Sequence, residues 1–369
     1  MYATKEVFKK LLYGPKLESI MPIEKVDMFN KALREWIKDN IPNRLYRYRE
    51  FNTYNLEALI KDEIWGSSIS TFNDPFECMP CYDLQELVMN IHNGMDSKII
   101  AEKYAELKNR SNIDDVLKVF EPEDIERIKS NLPDVIEEEK IRAALKAEEN
   151  IIMQFINSQY MNIVNDCFLE VYNAEVKRII ACFSEVYDSS LMWGHYADSH
   201  RGFCIGYNFE DDISACDKTC ENPLYCMNMM MKLPIAPVVY SDTRYDASST
   251  LLNYIIQHLS QMAQIPIEQF YEDFLFILKC LLTKSTEWSY EKEWRMFANG
   301  SEFKPHAVIC NRKPTAVYIG CHMSDENAGK IYKICQDKDI ACYKMVLQYY
   351  SKTFTMQPVL YEKYLKNVM

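Results

Sequence analysis

Glycine is scarce in this chain, with nine in 369 residues. None of the nine forms the Gly-rich loop that cradles phosphate in Rossmann or Walker sites, so the sequence offers no nucleotide site of either common type. Long apolar runs are also missing. No window nears the ~20 apolar residues that span a bilayer, and Met1 to Lys10 has acidic and polar interruptions where a signal peptide has an apolar core. The expectation is a cytoplasmic protein with no membrane partner. Positive charge is short as well: the net charge is −12 with a pI near 5.2, which argues against nonspecific capture of nucleic acid and leaves only a local basic groove open. Cysteine is not scarce, at 13 residues, but Cys78 and Cys81 form the one Cys-x-x-Cys pair. A zinc site normally needs a second pair, and Cys216, Cys220 and Cys226 do not supply its spacing. Reduced, buried thiols and no metal centre are expected.

What is present is a globular composition, 48% hydrophobic and 13% aromatic, enough for one elaborated domain or two closely packed ones. Helical periodicity covers 22–37, with Pro22 suited to a first turn. A strand follows over Arg44 to Arg49, then a helix over Asn52 to Asp62, a strand over Ile64 to Ile69 and a polar loop. Residues 96–178 are long charged stretches favouring helix. Strands resume at Arg178 to Ser184 and Gly202 to Asn208, around a helix over Ser189 to Asp198. A linker rich in Cys, Asn and Met spans 214–232. Beyond it come a strand near Val238 to Ser241, helices over 248–263 and 267–283, and a strand over Trp288 to Arg295. A strand at Ala316 to Ile319, a helix from Ser324 to Gln336, and strands near Ala341 to Leu347 and Thr355 to Leu360 complete the chain. The fold class read from this alternation is α+β, with a mixed, mainly antiparallel central sheet, flanking helices and a helical insertion. The expected domains are an N-terminal helical segment at 1–43, a discontinuous core at 44–95 and 179–369, and an insertion or cap at 96–178.

The segment Trp288-Ser-Tyr-Glu-Lys-Glu-Trp-Arg295 has the most chemistry. Read as a strand, it puts Glu291, Glu293 and Arg295 on one face. Two such carboxylates suit catalysis, and they equally suit an ion-pair ladder closed by Arg295. Asn73-Asp74-Pro75 reads as a cap or turn. His195 and His200 lack a third metal ligand.

Four segments together resemble a bacterial family of unknown function, DUF2971. They are Leu45 to Arg49 with Asn55 and Leu56; Trp65 through Phe72-Asn-Asp-Pro-Phe-Glu77; Cys182 to Glu185 with Leu191-Met-Trp-Gly-His-Tyr-Ala-Asp198 and Gly202 to Cys204; and Trp288 to Arg295. The resemblance runs from about residue 44 to about residue 347. It implies no reaction. The chain order of an arginine strand, a serine strand and Glu-x-Glu is similar, more distantly, to the arginine-serine-glutamate ADP-ribosyltransferases. That resemblance implies NAD as substrate, with Arg47 or Arg49 on its phosphates and Ser68 and Ser70 orienting the nicotinamide ribose. It further implies Glu293 stabilising the oxocarbenium-like charge and Glu291 orienting or deprotonating the acceptor. Asn73, Trp193, His195 and Tyr196 are candidate nucleotide-binding residues, with Trp65 as a further stacking ring. An NAD-cleaving enzyme of this kind would suit a bacterial toxin or antiphage effector, with a nucleotide or small molecule as substrate and a protein or nucleic acid as acceptor. Two other readings stay open. Asp74, Glu77, Glu291 and Glu293 would bind Mg²⁺ in a nuclease steered by Arg47, Arg49 and Arg201, or the chain would be a noncatalytic nucleotide- or protein-binding sensor.

Overall fold

The computed structural model describes residues 2–14, 23–83, 87, 168–169, 178–209, 235–252, 275–299 and 305–368. The chain divides into two compact units, the first of residues 1–80, 176–245 and 274–369 and the second of residues 81–175 and 246–273. Residues 1–43 fall inside the first unit. Nearly all of the expected insertion at 96–178, the linker at 214–232 and most of the helices expected over 248–263 and 267–283 lie outside the described residues. In the second unit, the amide of Ala247 donates to the Cys81 carbonyl. Ser248 Oγ donates to Asp246 Oδ1 at 2.6 Å and accepts from the Asp83 amide at 2.7 Å.

The first unit holds the sheet. It opens with α1 (Tyr2–Tyr13) and α2 (Ile23–Asn40), joined by the rings of Phe8 and Trp36, 4.9 Å apart. The strands are β1 (Arg44–Arg49), β2 (Glu63–Ser68), β3 (Arg178–Ser184), β4 (Phe203–Asn208), β5 (Ile235–Pro237), β6 (Val239–Ser241), β7 (Thr283–Ser285), β8 (Glu293–Asn299), β9 (His306–Asn311), β10 (Ala316–Ile319), β11 (Ala341–Leu347) and β12 (Met356–Leu360). Ten of them form one sheet in the order β12-β11-β10-β4-β1-β3-β2-β9, with β8 pairing β3 and β5. Among the described pairings of this sheet only β10 and β11 run parallel, so the α+β, mainly antiparallel class holds. β6 and β7 form a separate parallel pair.

Local chemistry explains the boundaries. Asn52 caps α3 (Thr53–Lys61) by accepting from the Asn55 amide, and Asp62 ends it in the left-handed region. Ser189 caps α4 (Ser190–Tyr196) by accepting from the Met192 amide. After α4 the chain reverses through three successive left-handed residues, Asp198, Ser199 and His200. It then enters β4 at Gly202, where a Cβ would stand 2.2 Å from the Arg49 carbonyl oxygen.

Register fixes the two faces of the sheet. Tyr46 pairs Ser184, and Ser184 pairs Glu293, so these three side chains share a face across β1, β3 and β8. On that face Tyr46, Tyr48, Trp193, Cys204, Tyr318 and Met345 build one apolar cluster. Arg47, Phe183 and Trp294 occupy the opposite face.

Candidate functional site: a buried ion cluster beneath an aromatic rim

The Glu-x-Glu segment is not one continuous strand. Ser285 caps a 3₁₀ helix over Thr286–Glu291 by accepting from the Glu287 amide, Lys292 turns left-handed at φ 46°, and β8 begins only at Glu293. This corrects the expected strand over Trp288 to Arg295. Glu293 and Arg295 alternate as expected, whereas Glu291 reaches the same place from the turn. The reversal also brings back Lys284 on β7, seven residues before Glu291.

Lys284 is the centre of the cluster. Its ammonium lies 2.5 Å from Glu291 Oε2, 3.0 Å from Glu293 Oε2 and 3.1 Å from Glu77 Oε1. Arg295, which is wholly buried, donates from Nε to Glu293 Oε1 at 2.9 Å and from Nη2 to Glu293 Oε2 at 3.1 Å. Its Nη2 also pairs with Glu77, and its Nη1 donates to Cys78 Sγ and the Leu281 carbonyl. Three carboxylates face two cations, leaving one net negative charge when all are ionised.

The two glutamates of the motif differ in what they have left. Burial alone would raise the Glu293 carboxyl, but Arg295 and Lys284 outweigh it and hold the group well below the usual carboxylate range. The Arg295 and Lys284 donors, with a further bond from Cys182, fill its four acceptor positions. Among the described residues Glu291 accepts from Tyr196 Oη at 2.6 Å and from Lys284 at 2.5 Å. Burial raises its carboxyl against the pull of Lys284, and the Glu293 charge adds to the rise. Burial would lower Lys284, but its carboxylate neighbours, Glu293 foremost, hold it above the ordinary lysine value. Burial pushes the Cys78 thiol up to about 12, which makes it a poor nucleophile at neutral pH.

Above Glu291 the side chains become accessible. His195, exposed at the end of α4, has its ring centroid 6.4 Å from Trp288 and 6.2 Å from Tyr290. Trp288 and Tyr290 are half-buried, with centroids 6.1 Å apart, and the Trp288 indole N–H donates to Asp74 Oδ2 at 2.9 Å. Asp74 Oδ1 accepts from the Phe76 amide, so Asn73-Asp74-Pro75 forms a turn and not a helix cap. Asn73 is exposed and hydrogen-bonds Tyr196. Asn73, His195, Tyr196, Trp288, Tyr290 and Glu291 thus meet at one place.

Other expected residues lie elsewhere. Arg47 and Arg49 occupy the face of β1 opposite Glu293. Ser68 pairs Ile179 while Glu293 pairs Ser184, five residues away on β3, a separation of about 17 Å along the strand. Ser68 and Ser70 bond each other through their hydroxyls at 3.1 Å. Trp193 is fully buried, donating its indole N–H to the Tyr187 carbonyl, and is a core residue and not part of the rim. Trp65 is exposed on β2 with its indole N–H on Glu63. Glu77, Glu291 and Glu293 do converge, but on the Lys284 ammonium, and among the described residues no three His, Cys, Asp or Glu side chains are arranged to hold a metal ion. Arg201 is exposed and bound to Asp198. Cys78 is a free thiol and so forms no disulfide with Cys81, and Cys216, Cys220 and Cys226 lie outside the described residues. No helix among the described residues is long and apolar enough to cross a membrane.

Lys284 escaped the reading of the sequence. A lysine preceding the motif by several residues has no strand or helix relation to it, and only the 3₁₀ reversal joins them. The fold and site together define an α+β domain that buries a five-membered ion cluster at the floor of an aromatic rim. The model of a family described as a protein of unknown function (DUF2971) matches residues 192–296. This supports the resemblance to that family read from the motifs. The matched stretch starts inside α4 and ends on β8, and it includes His195, Tyr196, Lys284, Trp288, Glu291, Glu293 and Arg295. The comparisons do not extend to the ADP-ribosyltransferases, and no curated protein and no solved structure matches the chain.

Proposed function

We propose that the chain consumes NAD at Glu291, cleaving the bond between nicotinamide and ribose and passing the ADP-ribosyl group to water or to a protein or nucleic-acid acceptor. The observation that supports this reading is the placement of Glu291, buried between Tyr196 and Lys284 with acceptor capacity left, beneath the rings of His195, Trp288 and Tyr290. A flat pyridinium suits aromatic faces. The surplus negative charge of the floor suits both that cation and the positive charge that grows on the ribose as the bond breaks.

In this reading the roles of the two glutamates exchange. Glu291 stabilises the oxocarbenium-like ribose, and Glu293, saturated by Arg295 and Lys284, holds Lys284 in position. The electron pair of the C–N bond leaves with nicotinamide, which becomes neutral. The acceptor atom bonds the anomeric carbon and loses its proton to solvent.

The test is nicotinamide release from NAD by the purified chain, with and without cell extract as a source of acceptor. Release by the wild type supports the reading, and no release in either condition contradicts it. An enzyme that drains NAD suits a toxin or antiphage effector. Expression of wild type would then slow growth while Glu291→Gln would not, and equal growth would count against that role.

A further inference from the structure

Two arginines of β1 play no part in the carboxylate cluster. Arg47 is 5% exposed, its Nη2 donates to the Trp65 carbonyl at 2.6 Å, and its guanidinium lies 5.3 Å from the centre of the Phe183 ring. Its Nε is buried with no hydrogen-bond partner. Arg49, two residues on and on the same face of β1, is half-buried, and its Nη1 donates to the carbonyl of Tyr48 at 3.1 Å. Burial pulls its guanidinium below the ordinary value, and the groups that oppose this are Tyr207, Cys182 and Cys204, with no carboxylate among them.

A guanidinium taken out of water costs several kcal/mol unless an anion faces it, and here two are placed about 7 Å apart on one strand face. Among the described residues neither is in an ion pair with a carboxylate. We infer that Arg47 and Arg49 form a binding site for a phosphate group. Phosphate fits better than a single carboxylate because it brings about two negative charges and three acceptor oxygens to two forked donors. Arg49 is the more exposed of the two, and the Nε of Arg47 is left to be filled.

The site is separate from Glu291, since β1 presents these arginines on the face away from Glu293. It therefore goes beyond the NAD reading and stands without it. The phosphate belongs either to a free ion or to a nucleotide acting as a second ligand, and both present the same group.

Thermal unfolding of the full chain tests this, with inorganic phosphate, AMP and adenosine titrated at constant ionic strength made up with chloride. A ligand bound only by the folded state raises Tm with its concentration. The expected result is a rise with phosphate over chloride that Arg49→Met abolishes and Arg49→Lys retains in part. A rise at far lower concentration with AMP, and none with adenosine, assigns the phosphate to a nucleotide; equal rises with AMP and phosphate assign it to the free ion. Equal Tm in phosphate and chloride overturns the inference, as does an undiminished phosphate effect in Arg49→Met. Should Arg49→Met fail to fold, calorimetric titration of Arg49→Lys with phosphate decides by the same criterion: weaker binding than wild type supports the site, and equal binding overturns it.

Discussion

The ammonium of Lys284 lies 2.5 Å from Oε2 of Glu291, although seven residues and a 3₁₀ reversal separate them. This pair is where the structural half of the cluster meets its open half. On one side stand Glu77, Glu293 and Arg295, all buried, and on the other Tyr196 leads to the rim. Lys284 holds both halves, and its cation also sits 5.2 Å from the centre of the Trp288 ring.

Replacing Lys284 with methionine strands three buried carboxylates around Arg295 alone. Breaking a buried ion pair from one side costs about 3–5 kcal/mol, so Lys284→Met loses at least that much stability in urea unfolding. A loss under about 1 kcal/mol, the size of an exposed pair, would mean the cluster is solvated.

Acid stability follows from Glu293. Its folded carboxyl lies below the ordinary value of 4.5, so its contribution is complete above that pH and is lost as pH falls from 4.5 toward the folded value. Glu293→Gln, compared with wild type by urea midpoints between pH 6 and pH 3, has the shallower loss of stability on acidification. Equal slopes would show that Glu293 is not held ionised in the fold.

The pH profile of turnover follows from Glu291, whose carboxyl burial raises above 4.5. The reaction needs it ionised, so nicotinamide release falls on the acid side at a pH above 4.5. The like charge of Glu293 contributes to the rise, so Glu293→Gln moves this acid limb to lower pH. An unmoved limb in a folded variant would separate the two carboxylates electrostatically.

Tyr196→Phe removes one hydrogen bond to Glu291 and little volume. A hydrogen bond to a charged group contributes about 1.5–3 kcal/mol, and this variant loses stability on that scale while Trp288→Ala chiefly raises the KM for NAD. Urea unfolding and initial rates check the two effects independently.

Much of the framework was legible in the sequence because it rests on local patterns. Arg178 to Ser184, Ala316 to Ile319 and Ala341 to Leu347 are strands at the expected bounds, and the apolar repeat of the helix from Ser324 reappears as α6 (Asp325–Asp337), where α5 (Phe276–Leu282) precedes it. Tyr361–Val368 and His306–Asn311 have no clear signal in the sequence: the first is a short helix that follows β12 directly, and the second a strand with no fully buried residue. The site was half legible. Glu291, Tyr196, His195 and Asn73 meet as a group, but the side of β1 that bears Arg47 relative to Glu293 depends on pairing register across β3, which no local pattern carries. Trp193 is a candidate stacking ring by residue type; residues two apart on a helix do not share a face, and Trp193 enters the core while His195 stays exposed.

The most direct test compares nicotinamide release from NAD by wild type, Glu291→Gln and Glu293→Gln, each shown to be folded. With Glu291 as the working carboxylate, Glu291→Gln lowers kcat about 100-fold or more, on the scale of losing one transition-state electrostatic contact, while Glu293→Gln retains more of the rate. Full turnover in folded Glu291→Gln would contradict the account.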